Sequence, residues 1–421
     1  MMPKKMAHSA FFFLALTALT GIWMRFFPFL DEAQALPYDH LLHGHSHAAV
    51  LGWTFLAALL LYFHLTWEHL QHNKQAIALT IATFIITTAM FIAFLWQGYA
   101  LYSIIFSSVH ILIEYWAIIF VFRSLRQIEN VPVIARRFIQ GGLIALFISS
   151  IGPWSLGAIA SQGLQQSPLF EMAIYFYLHF QYNGWLYFML VGLFLYLLHQ
   201  KGISISDRRL KASFVIYAIA LIPAYALSVL WYDFGTSGII FAAIGALGQL
   251  IGAGLLILAL AQKRTSIGEH FGKRVRLLLT FVFSLLLLKS LTELGLLHLP
   301  FAALIYETRS VVVGYLHLTF LGFISLLALS MFQMVRILDG TNRLMKTGMT
   351  LFITGFTLNE LVLFSSGLLS WTGLGAFPLQ NGLLLMASLL LACGICFIWS
   401  DVFITKHAKR IEDIKEMKKA T

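Results

Sequence analysis

The chain has 421 residues, 59% of them hydrophobic and only 11% charged, with a formal net charge of +10. A soluble domain carries about a quarter charged residues, so a water-soluble fold is excluded, and nucleic-acid binding with it, because the cations lie in short segments between apolar runs, where they set orientation across a bilayer. The apolar runs also exceed the roughly 10-residue alternating strands of a membrane β-barrel, which leaves an all-α polytopic membrane protein in contact with the lipid bilayer.

Apolar windows of roughly 20 residues, enough to cross a hydrocarbon core, recur about twelve times. The first run, from about Ser9 to Leu30, follows MMPKK like a signal peptide but is long enough to span, and is expected to be a retained helix centred near Leu19. The second, centred near Leu56, opens with LLHGHSHAAVLGW, which holds His43, His45 and His47. The third centres near Phe84, and the fourth near Leu112, where SSVHILIEYW places His110 four residues before Glu114. The fifth and sixth centre near Phe147 and Met189, and YFYLHFQYNGWLYF in the sixth carries His179, Gln181, Tyr182 and Asn183. The seventh and eighth centre near Leu221 and Leu250. The ninth, near Phe283, holds Lys289 and Glu293; the tenth, near Leu321, holds His317 in GYLHLTFLGF. The eleventh, near Thr357, carries Asn359 and Glu360, and the twelfth, near Leu391, carries Cys393 and Cys396. Residues 1–405 are expected to form a single bundle and 406–421 a charged cytoplasmic tail.

The connecting segments alternate in charge. Lys4 and Lys5, then Arg123, Arg126, Arg136 and Arg137, then Lys201, Arg208, Arg209 and Lys211 lie on one side. Lys263, Arg264, Lys273, Arg274 and Arg276, then Arg336, Arg343 and Lys346 complete that side; Asp31, Glu32, Asp39, Glu171, Asp233 and Glu307 occupy the other. The positive-inside rule then places both termini in the cytoplasm of a bacterium, with the bundle in its inner membrane.

In that orientation His45 and His47 lie near the outer interface, and His110, His179 and His317 lie some eight or nine residues in, a depth of roughly 12–14 Å. Ionisable side chains inside a bilayer are costly and functional by default, and a neutral imidazole is a common ligand for haem iron, copper or zinc. His43 and His47 share a helix face and His45 points elsewhere. Glu114, one turn from His110, can orient that imidazole as an outer partner. Lys289 and Glu293 are four apart and either neutralise one another or, with Tyr182 and Glu360, form a proton route. Arg25 and Arg309 sit at the outer boundary, as haem-propionate partners or as plain interface anchors. His64, Glu68, His69 and His72 at the other end of the second helix fit a solvated helix end. No CxxCH motif is present, so covalent haem attachment is not expected.

HSHAAVLGW, LHFQYNGW and GYLHLTFLGF together resemble the catalytic subunit of the haem–copper oxidase superfamily, and more nearly its nitric oxide reductase and NnrS-type relatives. The resemblance implies twelve helices, with His45 or His47 pairing with His317 on haem b and His179 as a copper or second-metal ligand. The chain departs from the pattern in three places. The seventh helix has no histidine, the tenth has one where the oxidases have two, and His110 has no counterpart. The oxidase copper set is therefore incomplete, and a full oxygen reductase is not expected. What the resemblance allows is a haem-dependent oxidoreductase handling nitric oxide or oxygen, with one haem or a haem plus copper or another transition metal. Electron transfer would then need a partner subunit, quinol or a soluble donor. Two other readings stand beside it. One is a copper or zinc carrier or sensor with HGHSH, His43 included, as its entry and His110, His179 and His317 as its inner site; the other is a non-catalytic assembly subunit whose histidines bond between helices.

Overall fold

The computed structural model describes residues 2, 4–29, 36–205, 207–375 and 378–420, with side chains for all of these but 207 and 404–420. Asp31 and Glu32, expected in the first outer loop, lie outside the described residues, as do the side chains of the charged tail. The structure is 86% helix, with no strand among the described residues.

Among the described residues, twelve helices are long and apolar enough to cross a membrane. They are α1 (Lys4–Phe29), α2 (Tyr38–His69), α3 (Asn73–Gln97), α4 (Leu101–Gln127), α5 (Val133–Ser161) and α6 (Pro168–Gln200), followed by α7 (Arg208–Ser228), α8 (Gly235–Ala261), α9 (Lys273–Gly295), α10 (Arg309–Met334), α11 (Arg343–Trp371) and α12 (Gln380–Phe403). Short helices at Arg264–Phe271 and Leu299–Glu307 lie in the connections on either side of α9. Local chemistry sets several boundaries. α3 stops at Gly98, whose φ of 65° a side chain would strain, and α6 starts on Pro168, whose missing N–H is one the first turn leaves unbonded anyway.

The chain divides into two compact units, where the sequence suggested a single bundle. Unit 1 comprises Met1–Ile113, Leu329–Ser365 and Ala376–Thr421; unit 2 comprises Glu114–Ala328 and Ser366–Gly375. In unit 1, α1 packs on α12 and on the middle of α2. The buried carboxylate of Asp401 ties the 339–342 turn to α12, accepting from the Asp339 N–H and the Asn342 amide, both at 2.6 Å. In unit 2, α7 and α8 close on a seam of small residues, where a Cβ on Gly252 would meet Tyr217 Cβ at 2.8 Å. Close backbone approach of this kind is how helices associate where lipid removes the hydrophobic drive.

Three helices stand apart. Over their apolar windows α2 and α6 are 89% and 94% buried and α10 is 61% buried, against 33–50% for the other nine. Each of the three also contains a π-helical segment: Ala48–Thr54 in α2, Phe180–Leu186 in α6 and Leu318–Ser325 in α10. Each segment begins directly after a histidine, at His47, His179 and His317. Each has glycine at its fifth position (Gly52, Gly184, Gly322) and an aromatic at its sixth (Trp53, Trp185, Phe323). The helix one earlier in the chain packs on each segment: α1 on the first, α5 on the second, α9 on the third. At Gly52 a Cβ would lie 2.5 Å from Phe13 Cγ, and at Gly184 a Cβ would lie 2.6 Å from Ala145 Cβ. α2, α6 and α10 thus share a His-x4-Gly-aromatic stretch, a π segment and a close contact with the preceding helix.

Candidate functional site

In unit 1 the N-terminal turns of α2 present two histidine faces, as the spacing predicted. His43 and His47 face α3: the His43 ring lies 5.6 Å from Phe94, stacked, and His47 lies 4.3 Å from it. Tyr99, in the turn after α3, packs 5.4 Å from His43, and burial pushes its phenol above the ordinary value. His47 also lies within electrostatic reach of His110, which is fully buried with its ring edge-on to Phe55 at 5.4 Å. The structure thus brings His43, His47 and His110 into one neighbourhood. His45 turns the other way, onto α1, where Gly21 leaves room beside its ring.

Hydrogen bonding fixes the imidazole tautomers, because a carbonyl oxygen can only accept. His45 Nδ1 lies 3.0 Å from the Thr17 carbonyl, with the Thr20 hydroxyl at 3.2 Å, so Nδ1 carries the proton and Nε2 the lone pair. His47 repeats this with its Nδ1 donating to the His43 carbonyl at 2.9 Å. An imidazole whose Nδ1–H is held by a carbonyl is the usual arrangement of a metal-ligating histidine, since the bond orients the ring and raises the basicity of Nε2. The donor chemistry of both residues therefore fits haem iron, on opposite faces of α2.

Also in unit 1, Glu360 is buried and accepts from the Asn359 amide at 2.9 Å. Arg25 is half-buried at the end of α1, within electrostatic reach of both His45 and Glu360. At the other end of α2, Glu68 and His69 are exposed, as is His72 just beyond it, but His64, expected with them at a solvated helix end, is half-buried with its Nδ1 buried. Cys393 and Cys396 are free and exposed on α12.

Unit 2 holds a different arrangement. His179 Nε2 donates to the Leu221 carbonyl at 2.8 Å, and its Nδ1 accepts from the Asn183 amide at 3.2 Å. Both ring nitrogens are engaged, so this geometry offers a metal no lone pair. The chain of bonds continues: Lys289 Nζ donates to Asn183 Oδ1 at 2.5 Å and pairs with Glu293 Oε1 at 2.8 Å, and the Tyr315 hydroxyl donates to the same oxygen at 2.5 Å. His179, Asn183, Lys289 and Glu293 are each 3% exposed or less. Five side chains from α6, α9 and α10 thus form one buried network that ends on the backbone of α7. Tyr182 is buried edge-on to Tyr315 and Phe320. His317 is half-buried at the start of the third π segment, and Arg309 is exposed at the end of α10. Glu114 is buried on α4, one turn along from His110.

Sequence reading had passed over Thr17, Thr20 and Tyr315. No local signal marks the first two, since a backbone carbonyl and a helix-bonded hydroxyl are invisible to spacing. Tyr315, two residues before His317, read as an ordinary aromatic of an apolar run. Among the described residues no three histidine, cysteine or carboxylate side chains are grouped so as to hold a metal ion. The chain matches no family model and no curated protein.

Proposed function

We propose that this chain is an integral membrane haem protein in which His45 supplies an axial imidazole to haem b. The observation that supports this is the His45 tautomer, with Nδ1–H bonded to the Thr17 carbonyl and Nε2 left as the donor. His47, with the same tautomer, is the alternative ligand on α2. Haem, when bound, supplies one-electron chemistry and a coordination site for a small gas such as nitric oxide or oxygen. Thr17 of α1 orients the imidazole, and Arg25, within electrostatic reach of His45, would partner a propionate. Electrons come from quinol, a soluble donor or a partner subunit. We further place both termini in the cytoplasm and the protein in a bacterial inner membrane, on the alternation of cationic and acidic segments.

The test is a reduced-minus-oxidised optical spectrum of the detergent-purified chain, with pyridine haemochrome and metal analysis of the same sample. A b-type signal is expected, abolished or shifted in His45→Ala and retained in His179→Ala, whose ring nitrogens are otherwise bonded. A colourless protein holding stoichiometric copper or zinc would replace this reading with a metal carrier. A protein with neither haem nor metal would leave an assembly subunit.

A further inference from the structure

The network in unit 2 is incomplete on one side. Glu293 uses Oε1 for both Lys289 and Tyr315, while its Oε2 is buried without a hydrogen-bond partner. One turn back on α9, the Ser290 hydroxyl is buried and unpartnered as well. On α8, both the amide nitrogen and the amide oxygen of Gln249 are buried and unpartnered, with the residue at 0% exposure. Four orphaned polar atoms therefore lie on two helices that pack together. Tyr217 of α7 links them: it packs against Gly252, one turn from Gln249, stacks on Tyr187 with ring centroids 3.9 Å apart, and lies within electrostatic reach of Glu293.

Buried polar atoms are almost always bonded, to protein or to ordered water. A carboxylate oxygen and both ends of an amide left dry together would offset a large part of a fold's stability. The same atoms are suited to hold water in file, since a carboxylate accepts, a hydroxyl does both, and an amide donates at one end and accepts at the other. The groups around Glu293 are consistent with proton exchange. Its own helix supplies Lys289, α10 supplies Tyr315, α6 supplies Tyr182 and, through Asn183 and Lys289, His179, and α7 supplies Tyr217. α8 has no titratable residue between Gly235 and Ala261, so Gln249 guides water without competing for the proton.

We infer that Glu293, braced by Lys289 and Tyr315, is a proton-exchange site reached through enclosed water running from Gln249 past Tyr217 and Ser290, and not a static ion pair. The inference stands independently of the haem reading. Infrared difference spectra of the full chain in lipid vesicles, recorded across a pH step in H2O and in D2O, test it. A protonated-carboxyl band should appear as pH falls, shift in D2O, and vanish in Glu293→Gln. Gln249→Leu, which keeps the volume and removes both polar atoms, should slow deuteration of that band at least tenfold. Should Glu293→Gln fail to fold, Tyr315→Phe identifies the band by shifting it, since it removes the hydrogen bond to Oε1. The absence of any band sensitive to these substitutions would show a static pair, and unchanged deuteration in Gln249→Leu would show that water does not take this route; either overturns the inference.

Discussion

Replacing Lys289 with Met removes the cation that closes the 2.8 Å pair with Glu293 and the donor at 2.5 Å from Asn183 Oδ1. Removing one partner of a buried pair typically destabilises by about 3–5 kcal/mol, because it leaves the other charge uncompensated. Here the loss has a ceiling, since Glu293 can take up a proton and stay buried as an acid. Protonating a glutamate of the unfolded chain, with its ordinary value of ~4.3, costs about 3.7 kcal/mol at pH 7 at ~1.36 kcal/mol per unit, and this caps the loss. The orphaned Asn183 oxygen adds roughly 1–3 kcal/mol unless its amide reorients. Lys289→Met is therefore expected to lose about 4–7 kcal/mol at pH 7 and to recover about 1.4 kcal/mol for each unit of acidification toward pH ~5, as the carboxyl protonates more cheaply. Lys289→Met/Glu293→Gln removes both charges and should be more stable at pH 7 than Lys289→Met alone. The assay is thermal or denaturant unfolding of all four members of the cycle in one lipid–detergent mixture. A double variant whose loss equals the sum of the single losses, or a single variant with no pH dependence, would refute the argument that these groups compensate one another.

Gly52→Ala places its Cβ 2.5 Å from Phe13 Cγ and should destabilise by about 1–3 kcal/mol through overpacking, with Phe13→Leu in the same chain restoring most of the loss on thermal unfolding. Deleting Leu186 removes a residue from the π segment of α6 and restores α-helical register, turning His179 by about 100° relative to the C-terminal half of the helix. It should lower the unfolding midpoint more than His179→Ala, and an equal midpoint would show that the widened turn is dispensable. Asp339 tests the 339–342 turn. Burial raises its carboxyl, but the two hydrogen bonds from Thr341, with Lys346 and Lys4, outweigh burial and hold it below the ordinary value. A depressed carboxylate contributes stability above its unfolded value and loses it as pH falls through the folded one, so acidification below the ordinary carboxylate range should destabilise the wild type more than Asp339→Asn.

Sequence was sufficient for the twelve spans, because each depends only on a length of apolar residues, and for the division of histidine faces on α2, because i and i+4 meet on any helix. The Lys289–Glu293 pair was legible for the same reason. Other features depend on contacts across long separations. The Thr17 carbonyl beside His45, the Leu221 carbonyl beside His179 and the Tyr315 hydroxyl on Glu293 have no counterpart in local spacing. Nor did hydropathy separate the core helices from the rim: α6 has a mean hydropathy of 1.2 over its window, among the lowest, yet is 94% buried, while α12 at 2.4 is 44% buried. Lipid accepts apolar surface as readily as protein does, so in a membrane the most apolar helix is free to face outward and the polar one is driven inward.

The three π segments carry that logic to the level of single turns. A π turn gives up the compact α-helical bond pattern and is frequent at functional sites, and this chain keeps one on each of its three most buried helices, directly after a histidine. The widened turn shifts the register between the N-terminal part of the helix, which carries the imidazole, and the C-terminal part, which is locked in the core. The glycine in each segment lets the preceding helix close on that turn. What the imidazole then does depends on its hydrogen bonds. On α2 the proton sits on Nδ1 and leaves a donor nitrogen; on α6 it sits on Nε2 and the ring is consumed by a backbone carbonyl and an amide. The same local device thus leaves a donor nitrogen on α2 and feeds a buried charge network on α6, and the histidines that look like one layer in the sequence are separated by the tautomer each is held in.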